Sequence, residues 1–179
     1  MVDGAGASPV WGRFTAKAEL VGAGVVRASS REAVPALLRA AAAGFRCTAS
    51  VAERFPGVAS SLDDHAPEEL SAATHAQPSL EIVAVAEFAV AETGSVALNA
   101  PAGDRGACFL SERLWLLVAE PDIVATLEEG VLRMRDLVRA GARHPLLMTG
   151  PSRTADIERV LTIGVHGPRA LVIVIVGDT

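Results

Sequence analysis

The chain has 179 residues, half of them apolar, with 21% charged residues and a formal net charge of −5. That size suits one domain, 1–179, with a sizeable core. The charge balance excludes a polyelectrolyte and argues against a nucleic-acid partner, which would need a clustered basic face. Lys17 is the one lysine among 16 cationic residues, and no basic run exists. Mean hydropathy is +0.36, yet the longest apolar run, Ala170 to Val176, falls far short of the ~20 residues of a membrane span. No charged start followed by an apolar stretch marks a secretory leader. Two cysteines, Cys47 and Cys108, form neither a disulfide framework nor a CxxC pattern, so the reducing cytoplasm is the expected compartment.

Residues 1–18, rich in Gly and Ala, read as a loose arm or short helix. Gly24 to Ala28 reads as a strand. Ser29 to Glu32 has the spacing of a capping box, followed by Val34, Leu37, Leu38 and Ala41 at helical spacing, with Gly44 as the stop. Phe45 to Val51 is a second strand candidate and Glu53 to Asp64 a polar loop. Pro67 to Thr74 reads as a short helix. Leu80 to Val90 is nearly all apolar and β-branched, the mark of a buried strand. Ser95 to Leu98 is a short strand, Asn99 to Ala107 a Pro/Gly-rich loop, and Leu114 to Ala119 a continuous apolar strand. Pro121 to Ala140 is the clearest helix, with Ile123, Leu127, Val131, Met134 and Val138 in one stripe and Gly141 closing it. Pro145 to Met148 reads as a strand, Thr154 to Ile163 as a short helix, and Leu171 to Val176 as a final buried strand. Strands apolar along their whole length, alternating with helices, predict an α/β fold: a mainly parallel central sheet with helices on both faces.

Open parallel sheets hold ligands at the carboxyl ends of their strands. Two loops are expected there: Ala91-Glu92-Thr93-Gly94-Ser95 and Thr149-Gly150-Pro151-Ser152-Arg153-Thr154. Gly94 and Gly150 permit positive φ or close backbone approach, and hydroxyls flank both. Ser152 and Thr154 beside an expected helix N-terminus, with Arg153, make an anion site chemically reasonable. Asp156 and Glu158 in the same turn would repel a phosphate, and simple capping by Ser152 or Thr154 explains the pattern equally well. Glu92, if buried, would serve as nucleophile or general base; a solvated turn glutamate is the commoner case. His166, in Gly164-Val165-His166-Gly167-Pro168, is a proton-transfer candidate or a hydrogen-bonded turn histidine. His65, His75 and His144 show no metal-ligand spacing, and no Walker A, GxGxxG or GxSxG sequence is present.

The blocks Thr149 to Glu158 and Gly164 to Pro168, with the closing apolar strand, resemble the C-terminal signature of the LUD-domain family, of the lactate-utilization protein C type. Ala91 to Ser95 resembles that family's other block, and the likeness covers Leu80 to Thr179. The resemblance implies a three-layer α/β fold similar to the ribose-5-phosphate isomerase, glucosamine-6-phosphate deaminase and CoA-transferase group. It implies a part in oxidising L-lactate to pyruvate beside iron–sulfur subunits. Cys47 and Cys108 alone do not supply a four-thiolate cluster, so no cofactor is expected on this chain and the clusters belong to partner chains. The small carboxylate ligand would meet Arg153 and the Ser152/Thr154 end, beside Thr93, Gly94, Ser95 and Gly150, with Glu92 or His166 facing its α-carbon. The alternatives are a free-standing isomerase or CoA-transferase-like enzyme using Glu92, a non-catalytic scaffold subunit and, last, a nucleotide-binding regulator. A homo-oligomer is compatible with each.

Overall fold

Three strands carry the architecture because their sequences leave no polar side to face water. In a computed structural model, which describes residues 9–42, 44–62, 81–155, 161–163 and 167–177, these are β3 (Glu81–Val90), β5 (Arg113–Ala119) and β10 (Ala170–Val176). They lie side by side and parallel, with β10 in the interior between β5 and β1 (Gly24–Ala28). Alternate residues serve opposite faces, as the period of two requires. Leu114, Leu116, Val118, Leu171, Ile173 and Ile175 enter one core, and Trp115, Leu117, Val174 and Val176 the other. Each such side chain contributes roughly 1.5–3 kcal/mol when fully buried.

Among the described residues the sheet has eight strands. Along one flank of β3 runs β5 and then β6 (Ile123–Val124); along the other run β2 (Arg46–Cys47) and β4 (Ser95–Leu98). β4 is antiparallel to β3 and is followed outward by β7 (Leu146–Met148), antiparallel to β4. A register shift between Ala86 and Phe88 marks where β3 changes neighbours.

Helices cover both faces, completing three layers. α1 (Pro9–Leu20) and α5 (Ala102–Leu110) pack on the first core through Phe14, Ala18, Ala107 and Cys108. α2 (Val34–Ala41), α3 (Ala49–Arg54) and α4 (Pro56–Leu62) pack on the second through Val34, Leu38, Val51, Val58 and Leu62. α6 (Leu127–Arg139) lies over Phe88, Val90 and Ala97. Among the described residues, no helix is long and apolar enough to cross a membrane.

Several local expectations are corrected. The loop expected at 53–64 is largely helical as far as Leu62: α3 runs to Arg54, and Pro56 opens α4, a position where its missing N–H costs nothing. The Pro/Gly-rich 99–107 segment mostly forms α5, since burial of Ala107 and Cys108 outweighs two glycines. The box at Ser29–Glu32 does not cap α2, which starts at Val34 without a side-chain cap. Instead the Ser30 hydroxyl holds the Glu32 carboxyl below its ordinary range. The segment from Pro121 begins as a 3-10 turn (Glu120–Asp122) and β6, and α6 starts only at Leu127. There Thr126 and Glu129 form a true capping box. Both described ends of the short helix expected at 154–163 are instead antiparallel strands, β8 (Arg153–Ala155) and β9 (Leu161–Ile163), and residues 156–160 lie outside the described residues. The helix expected at Pro67 to Thr74 lies outside the described residues.

Candidate functional site

The turn after β3 and the loop after β7 come together because β4 bridges them. β4 pairs with β3 on one side and β7 on the other, with Val96 opposite Met148. The carboxyl end of β7 therefore lies beside the turn that leaves β3. A line of hydroxyls seals the junction: Thr93 Oγ1 to Ser95 Oγ at 2.7 Å, and Ser95 Oγ to Thr149 Oγ1 at 2.7 Å. Ser95, in the middle of the line, is buried, while Thr93 is half-buried and Thr149 exposed, so the line reaches solvent at Thr149. Three residues beyond Thr149, the Ser152 N–H donates to the Pro168 carbonyl at 3.0 Å. The first loop, the second loop and the Gly167-Pro168 end of the third block thus form one connected chain of contacts.

Gly94 and Gly150 have φ of +70° and +77°, a region that disfavours side chains. Each also faces α1 or its C-terminal turn. A Cβ on Gly94 would stand 2.4 Å from the Ala18 nitrogen, and one on Gly150 2.3 Å from the Val21 carbonyl oxygen. The room made by the two glycines is filled by the protein's own backbone, Lys17 to Val21. This seat for α1 is invisible in sequence, because its parts lie far apart along the chain.

Glu92 is exposed, and its Oε2 accepts the Leu127 N–H at 2.7 Å. The carboxylate stabilises the first turn of α6, where free N–H groups and the helix dipole favour negative charge. The burial that would poise it as a base is absent. Ser152 does not stand at a helix N-terminus, since Arg153 and Thr154 belong to β8. The helix-dipole argument for an anion there falls. His166 lies outside the described residues.

A buried polar cluster escaped sequence reasoning. Asp104, on α5, is 6% exposed, and its Oδ2 accepts the Ala49 N–H at the start of α3 at 2.9 Å. Burial pushes its carboxyl above the ordinary aspartate value, against the lowering effect of that hydrogen bond. Cys108, one turn on, is fully buried; burial first, and the neighbouring Asp104 charge second, push its thiol up to about 12. Neutral at physiological pH, this sulfur is a poor nucleophile and a poor metal ligand. A T-x-x-E pattern at Thr126 to Glu129 could have placed the start of α6; nothing in the sequence reveals Asp104.

Comparison with known proteins places these blocks in context. A family model described as the LUD domain matches residues 80–176, more than half of the chain. A Lactate utilization protein C from Deinococcus radiodurans is 40% identical over 92 residues, covering 50% of this chain and 42% of that protein. Another, from Geobacillus thermodenitrificans, is 31% identical over 100 residues, covering 54% and 42%. The matched segment therefore spans less than half the length of these relatives. A crystal structure of a DUF162 family protein from Deinococcus radiodurans superposes with a TM-score of 0.64 at 23% identity, over 94% of this chain and 96% of that one. That likeness establishes the fold.

Proposed function

Since the chain belongs to the LUD-domain family, we propose that it works in lactate utilization, as a subunit that binds a small carboxylate where the 91–95 and 149–154 loops join. The observation that carries this reading is the 2.7 Å bond between Ser95 and Thr149, which makes one polar surface of two distant motifs. Thr93 and the exposed Thr149 offer hydroxyl donors to a carboxylate or an α-hydroxyl. Arg153, three residues past Gly150, supplies the cation, which can grip a carboxylate with two parallel bonds. L-lactate and pyruvate fit this chemistry, and relatives named Lactate utilization protein C support the choice.

Oxidation of L-lactate to pyruvate releases two electrons and two protons. In this reading the electrons pass to iron–sulfur clusters on partner chains, because Cys47 and Cys108 are both buried and Cys108 holds its proton firmly. A transferase reaction through Glu92 is less well supported, since that carboxylate is engaged with α6.

Calorimetry with L-lactate and pyruvate tests the site. Arg153→Ala should weaken binding about tenfold or more, the loss expected for a charge-assisted bond, while leaving the thermal transition in place. Equal affinity in the variant and the parent overturns the role of Arg153. No binding of either acid to the parent chain overturns the carboxylate site and favours a scaffold subunit, which should copurify with cysteine-rich partners.

A further inference from the structure

Helix α6 turns most of its apolar residues away from the sheet. Of its 13 residues only Gly130 is buried. The Gly130 face presses so close to the sheet that a Cβ there would stand 2.8 Å from Val90 Cγ2. Leu137 packs inward, and Met134, half-buried, stands where that face meets the exposed stripe. The stripe most prominent in the sequence runs beside that face. Leu127, Val131 and Val138 are 39%, 55% and 54% exposed. With the half-buried Met134 they recur at spacings of four, three and four, the seam by which one helix packs on another.

The charges beside this seam say what covers it. Glu129 is held by the Ala125 and Thr126 N–H groups, and Arg133 by Asp122 at 3.0 Å. Glu128 and Arg135, seven residues apart, border the seam on its outer side. Among the described residues no ion pair engages Glu128, and Arg135 has only the exposed, adjacent Asp136 at 3.3 Å. A parallel pair of α6 helices would give these two charges no opposite partner, since Arg135 would face Gly130 of the other helix. An antiparallel pair sets Glu128 against Arg135 twice, Leu127 against Val138 twice, and Val131 against Met134 twice. The helix is complementary to its own reverse.

We infer that α6 is a homodimer interface, in which two copies of this chain pair their α6 helices antiparallel about a twofold axis. A helix about 20 Å long covers an area at the low end for specific complexes, so the dimer is reversible in the micromolar range.

Sedimentation equilibrium of the full chain from about 1 to 500 µM tests this. A monomer–dimer equilibrium is expected. Val131→Glu, at an exposed position, should weaken it about tenfold or more without altering the circular dichroism spectrum. Glu128→Arg and Arg135→Glu should each weaken it several-fold, and the two together in one chain should restore it, because the opposed charges again alternate in sign. A monomer at all concentrations overturns the proposal and leaves the face to a partner of another kind. A dimer indifferent to Val131→Glu, or one not restored by the double charge reversal, overturns it equally.

Discussion

Asp104 shows how one buried carboxylate ties two helices together at a cost. Its hydrogen bond fixes the start of α3 from α5, while its burial favours the protonated form. Because its folded value lies above the ordinary one, the native state holds this proton more tightly than the unfolded chain. The contribution to stability is full below the ordinary aspartate range and declines as pH rises through the raised value. Asp104→Asn keeps an oxygen acceptor and removes the charge. At pH 7 it should raise Tm, because no charge is left to desolvate. Scanning calorimetry from pH 4 to 7 should find this decline weakened in the variant. An Asp104→Asn protein less stable than the parent at pH 7 would show that the charged hydrogen bond outweighs desolvation.

At the level of elements, α1 is the piece most dependent on distant glycines. Gly94→Ala and Gly150→Ala each force a Cβ into the Lys17–Val21 backbone and impose a left-handed conformation on alanine. Each should cost about 2–4 kcal/mol. Both displace the same segment, so the double variant should lose less than the sum of the two, a shortfall measurable in urea titrations. Full additivity would mean that the two loops hold α1 independently. The strands were legible in sequence because burial on both faces writes an unbroken apolar run, as in β3, β5 and β10. The helix at 154–163 was misread because Ile157, Val160 and Leu161 fit a helical face, while Thr154, Thr162 and Ile163 have the branched side chains of strands. The apolar stripe of α6 is legible in sequence, but which of its neighbours packs on the sheet is not. Gly130, a weak helix former, is what lets the helix approach the sheet. The two site loops were recognisable as motifs, but the bond joining Ser95 to Thr149 depends on β4 pairing with both neighbours, which no local pattern encodes.

Over the whole molecule, the sheet is assembled out of chain order. Gly24 pairs with Val172, and Val172 in turn with Trp115. Removing the residues from Ala170 onward should therefore abolish cooperative unfolding rather than trim an edge, since β1 loses its one neighbour among the described strands and the flank of β5 away from β3 is laid open along its whole length. Circular dichroism melts and light scattering of the shortened chain should show a broad transition and aggregation; a sharp, soluble transition would contradict this. The interior position of β10 also has a bearing on biogenesis. While this polypeptide leaves the ribosome, the greasy flanks of β1 and β5 stay uncovered until the latest-made strand of the sheet emerges to slide between them.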